Sequence, residues 1–190
     1  MLKQMLQPLS YLAIRHPQKW KVDWLFPIII SLFCTWFSID EDWKSEAYRA
    51  SGPISLLLGF LSCLPGFYIA ALAAIATFGR NDIDNILPEP TPTVKLNTRG
   101  EHILVKLTRR RFLAMLFSFL TCESIALVLL SVLLLSSGTT IAHTEIWDGR
   151  AGQLLSLAMT FIYYTLLMQM LTATFWGLYY LGFKLHEPQI

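Results

Sequence analysis

The chain has 190 residues, of which 54% are hydrophobic and only 15% charged, and its mean hydropathy is +0.49. Soluble domains carry about a quarter charged residues, so this composition excludes an ordinary water-soluble domain. A net charge of +2 is too slight to specify a nucleic-acid surface, and no direct contact with nucleic acid is expected.

Four windows are apolar enough to enter a bilayer: Trp24–Ile39, Pro53–Phe78, Phe112–Leu135 and Gln153–Phe183. The expected fold is all-α, a four-transmembrane-helix bundle forming a single membrane domain over residues 1–190. Segment 1–23 has Leu2, Met5, Leu6, Leu9 and Leu12 at spacings of three and four, which reads as a short interfacial helix interrupted at Pro8 and ended at Pro17. The first window is short, roughly 24 Å against a ~30 Å hydrocarbon core. Trp20, Trp24 and Trp36 flank it as interfacial aromatics do, and the acidic "DEDW" that follows does not resemble a signal-peptide cleavage site.

In the second window Pro65 predicts a kink, and Gly59, Cys63, Gly66, Ala70, Ala73 and Thr77 recur as a stripe of small residues against which another helix can pack. The polar loop 79–111 begins its conspicuous part at "LPEPTPTV", where Pro88, Pro90 and Pro92 predict an extended, polyproline-like strand. From Glu101 to Leu135 nothing breaks a helix, so the third span is expected to extend out of the bilayer with Ile103, Leu104 and Leu107 on one apolar face. Those three residues and the three prolines are the candidate docking surface for a partner. Arg109, Arg110 and Arg111 are expected to anchor the span at anionic headgroups.

Glu123 is twelfth of the twenty-four residues in the third window, near mid-bilayer, where an ionised carboxylate is costly. It is either a protonated side chain hydrogen-bonded to hydroxyls on the fourth span or an ion-coupled group. On the fourth window Gln153, Ser156, Thr160 and Tyr163 form one polar stripe and Thr165, Gln169 and Thr172 a second, fit for one bundle or for a bundle and a subunit interface. "FWGLYYLGFK" reads as an aromatic belt.

Lys and Arg divide unevenly: twelve lie in segments 1–23, 79–111 and the tail, and three in segments 40–52 and 136–152. The excess places both termini and the long loop in the cytoplasm. The three cysteines lie inside spans, and the four histidines are dispersed without metal-ligand spacing. With no phosphate loop, nucleophile elbow or CxxC, neither an enzyme nor a metal or cofactor is expected.

The whole-chain layout, with "HPQKWKVDWLFPIII" entering the first span and "LTRRRFLAMLFSFL" entering the third, resembles small four-span membrane proteins encoded beside a cytoplasmic effector in bacterial anti-phage systems. Among these it is most similar to the Kiwa membrane-component family, KwaA. The resemblance implies an inner-membrane subunit that forms homo-oligomers, a tetramer among the options, responds to phage attack at the envelope and acts with a DNA-binding partner of the KwaB kind. It transfers no functional residue. Three readings follow: a non-enzymatic sensing or scaffolding subunit that recruits a cytoplasmic effector; a small channel or transporter subunit using Glu123; and a membrane immunity or accessory protein.

Overall fold

In the computed structural model, the described residues are 4, 6–37, 48–77, 79, 81–98, 101–142 and 150–184. The acidic "DEDW" loop lies outside them. The principal helices are α1 (Phe26–Phe37), α2 (Pro53–Leu61), α3 (Leu64–Thr77), α4 (Arg109–Ala142) and α5 (Arg150–Tyr179), with one antiparallel ribbon of β1 (Thr93–Thr98) and β2 (Glu101–Lys106) between α3 and α4.

Three segments are long and apolar enough to cross a membrane: Pro53–Thr77, Arg109–Gly138 and Leu154–Gly182. The protein is a helical membrane protein on that ground. The first expected window appears as the π-helical turn Lys21–Leu25 followed by α1, whose 12 residues rise only about 18 Å. Its expected continuation to Ile39 passes beyond the described residues.

The expected kink is a break between α2 and α3. Pro65 has no N–H to offer the carbonyl of Leu61, and its ring crowds that carbonyl, so the ladder is interrupted at Ser62–Cys63 and resumes at Leu64.

Helix packing follows a row. The α2–α3 span lies against α4, α4 against α5, and α5 against α1, with no comparable contact between α1 and α2–α3 among the described residues. The expected four-helix bundle takes the form of an open row, in which the described residues leave the outer faces of α1 and α2–α3 uncovered. Phe33 and Trp36 are exposed on one flank and Leu56 and Phe67 on the other. Such faces are unfavourable in water and suited to lipid.

Between the helices, hydroxyls close the row. Tyr48 donates to the Ser156 carbonyl at 3.2 Å and shares hydrogen bonds with the Ser156 and Thr160 hydroxyls at 2.8 and 2.9 Å. Its ring lies where a side chain on Gly138 would have to go, which explains a glycine in the last turns of α4. Tyr163 pairs with Ser131 at 3.0 Å, Thr165 with Ser31 at 2.9 Å, and Thr172 donates to the Val22 carbonyl at 2.9 Å. Ser156, Thr160 and Tyr163 of one polar stripe and Thr165 and Thr172 of the other are therefore engaged inside one chain, each through a hydroxyl where lipid offers no partner.

Candidate functional site

The polar segment after α3 folds into a platform at one end of the helices. "TVKLNT" and "EHILVK" alternate side chains at the period of a strand and are rich in β-branched residues, and they pair in register from Thr93↔Lys106 to Thr98↔Glu101. The helical extension expected from Glu101 is thus a strand, and α4 starts only at Arg109. Thr108 sets that start, its hydroxyl accepting the Arg111 N–H at 3.3 Å.

The ribbon is laced to the rest of the chain through its base. Arg15 and Thr93 exchange both backbone hydrogen bonds, at 2.8 and 3.1 Å, so the N-terminal segment adds a residue to the sheet edge. Leu107 donates to Pro92 and accepts from Leu87, and Arg109 donates to the Asn85 carbonyl. Beneath this lacing, Ile14, Ile83, Leu87, Val94, Leu107 and Phe112 are buried as a small core. Phe112 in turn meets Trp176 edge-on at 5.4 Å and Tyr180 at 4.9 Å. Part of the expected aromatic belt is therefore packing between α4 and α5, while Phe175 and Tyr179 keep exposed positions.

The six candidate docking residues separate. Pro88 and Pro90 are exposed and Pro92 is buried. Ile103 and Leu104 are 48% and 55% exposed, but as strand neighbours they point to opposite faces of the ribbon instead of sharing one helical face. Leu107 is fully buried and belongs to the core. The helix-face expectation failed because this segment takes its backbone hydrogen bonds from β1 across the ribbon, a distant pairing that helix propensity in so short a segment does not outweigh.

The three arginines also separate. Arg111 is exposed, as an anchor should be. Arg109 is 5% exposed and lies inside the fold. Arg110 is a clamp: it grips Asp84 with Nε at 2.7 Å and Nη2 at 3.0 Å, and its Nη1 donates to the Ile75 carbonyl at 2.8 Å. One planar guanidinium thereby ties the loop to the C-terminal turn of α3, whose last carbonyls have no helical donor. Those hydrogen bonds hold the Asp84 carboxyl below its ordinary pKa.

A second polar cluster escaped sequence reasoning. The 3-10 helix Gln7–Ala13 buries Tyr11, whose hydroxyl donates to Asp23 at 3.0 Å. Lys19 forms an ion pair with Asp23 at 2.6 Å and lies 4.4 Å from the centre of the Tyr11 ring, so what reads as an interfacial cation is a buried structural one. Burial first, and the Asp23 carboxylate second, raise the Tyr11 phenol above its ordinary pKa. The i,i+4 spacing in "KWKVD" was the available signal. A cavity of about 560 Å³ adjoins this cluster, between the N-terminal segment and the residues leading into β1.

Glu123 is 8% exposed, and neither of its carboxyl oxygens has a hydrogen-bond partner among the described residues. The expected bond to fourth-span hydroxyls is absent: Thr160 is engaged by Tyr48, and Gln169, though 3% exposed, does not reach it. Gln153 lies on α5 with a side chain outside those described. Among the described residues there is no group of three or more potential metal ligands. No family model, curated protein or solved structure matches the chain.

Proposed function

We propose that this chain is a non-enzymatic inner-membrane sensing and scaffolding subunit that forms homo-oligomers and recruits a cytoplasmic effector through its ribbon. The supporting observation is the β1–β2 platform itself: a ribbon fixed at its base by backbone pairing and the Arg110 clamp, carrying Ile103 and Leu104 exposed beyond the start of α4. Apolar side chains in that place gain by being covered by a partner. Rigid attachment to α4 would couple any shift of that helix to whatever grips the ribbon, without catalytic chemistry. The distribution of basic residues supports a cytoplasmic ribbon with four spans and both termini inside. The resemblance to the Kiwa membrane-component family supports a role in anti-phage defence with a DNA-binding effector.

A second reading, a channel or transporter subunit, is favoured by one observation, the unpartnered carboxyl of Glu123. Two variants separate the readings. Ile103→Lys with Leu104→Lys should change stability by less than about 0.5 kcal/mol, as surface substitutions do, while abolishing effector co-purification and protection against phage. Glu123→Gln should keep both. Loss of protection in correctly assembled Glu123→Gln, with the ribbon variant active, would replace the scaffold reading by the ion-coupled one. Orientation is tested by reporter fusions: alkaline phosphatase active at Gly100 and silent at Gly138 overturns it.

A further inference from the structure

We propose that the cavity between the N-terminal segment and β1 is a binding site for the headgroup of an anionic phospholipid, with Arg15 as its principal cation and Trp20 and Trp24 as its lipid-side wall. The reading needs only the membrane setting of the chain and is independent of effector recruitment.

The cavity measures about 560 Å³ and is lined by Arg15, Lys19, Trp20, Trp24, Leu12 and Thr93 among others. That size is ordinary for a small-ligand site, which fills roughly 300–1,000 Å³. Its electrostatics come from four ionisable side chains. Lys19 and the lining carboxylate Asp23 neutralise each other, both nearly inaccessible to solvent. His16 is held below its ordinary pKa, chiefly by burial, and is neutral near pH 7. Arg15 remains, with no carboxylate at ion-pair distance among the described residues. Its backbone is pinned by the paired hydrogen bonds to Thr93, so the start of a long flexible side chain is fixed at the cavity mouth. A guanidinium presents two parallel N–H groups that match a phosphodiester.

The rim says which phosphate. Trp20 is 59% exposed, and Trp24, one helical turn on, is also exposed. Leu6, Leu9 and Leu12 are exposed too, and at three residues per turn they fall on one face of the 3-10 helix, opposite buried Tyr11. An apolar face and two indoles bordering a cationic cavity, directly before the apolar helix α1, is the chemistry of the headgroup layer, where aromatic side chains with a polar tip concentrate. A soluble anion would use the cation and leave the apolar rim in water; a phospholipid uses both.

The test is native mass spectrometry of the full chain in mild detergent with equimolar dioleoyl phosphatidylglycerol and dioleoyl phosphatidylcholine. Wild type should retain the anionic lipid preferentially, and Arg15→Gln should weaken that retention about fivefold, the worth of one basic residue at an anionic surface. Lys21→Gln, an exposed cation outside the cavity lining, should leave it unchanged. Trp20→Ala removes the wall at an exposed position and should lower retention of the anionic lipid in a protein that still folds. Millimolar glycerophosphate should fail to compete. Equal retention by wild type and Arg15→Gln, an equal loss in Lys21→Gln, or no loss in Trp20→Ala overturns the site. Full competition by glycerophosphate overturns the lipid assignment.

Discussion

His16 shows how one side chain joins three parts of the chain. Its Nδ1 accepts the Gln18 N–H at 3.2 Å, its ring packs on Trp176 at 5.8 Å, and a hydrogen bond to the Pro90 backbone partly offsets the desolvation that lowers its pKa. A histidine with a depressed folded-state pKa binds its proton more readily in the unfolded chain, so stability rises with pH across the interval between the two values. The contribution is complete above the ordinary value of 6.5 and is lost as pH falls toward the folded value. Thermal unfolding in detergent should therefore show a falling Tm between about pH 7 and 5, and His16→Asn should flatten that slope. An unchanged slope in the variant would assign the dependence to carboxyl groups elsewhere.

The same loop region is governed by an element-level contact, the Arg110 clamp across α3, the loop and α4. Lysine would keep the charge and lose the fork that reaches Asp84 and the Ile75 carbonyl at once. Arg110→Lys should raise the Asp84 pKa toward the ordinary carboxylate value and speed hydrogen exchange in residues 81–87, with the α4–α5 core protected as before. An Arg110 acting only as a headgroup anchor would give no change in exchange. Sequence reading treated the three arginines alike because they share a position at a helix start. Their roles diverge because successive helical residues point about 100° apart, so Arg109 faces inward, Arg110 faces the loop and Arg111 faces out.

On the scale of the whole molecule, the open row gives the small-residue stripe a new weight. Gly59, Cys63, Gly66, Ala70, Ala73 and Thr77 are all exposed, and a side chain added at Gly59 or Gly66 meets nothing within 4 Å. Among the described residues of one chain, nothing requires those glycines to be small. The hydroxyls of the α5 stripes no longer argue for an oligomer, since Tyr48, Ser131, Ser31 and the Val22 carbonyl engage them internally. The case for self-association rests on α2–α3 alone. Gly59→Ile with Gly66→Ile should leave the single chain folded and raise the concentration at which the oligomer dissociates at least about tenfold, equivalent to ~1.4 kcal/mol, by mass photometry. Unchanged assembly would place the interface elsewhere.

By itself the sequence determined the membrane class, the position of the three long apolar segments, the break ahead of Pro65 and the polar stripes of α5, because each depends on local composition and helical period. The tertiary structure decided what those local rules leave open. The segment between Pro88 and Thr108 became a ribbon because strands take their hydrogen bonds from distant partners, including Arg15, and such pairing leaves only a weak local mark. Lys19 left the surface because Asp23 came to meet it, Arg110 turned toward Asp84 instead of the headgroups, and Tyr48 found Ser156 across more than a hundred residues. Glu123 was legible as an anomaly and not as a partner: its place in the span follows from counting along one helix, whereas its lack of a donor among the described residues depends on what tertiary packing brings beside α4.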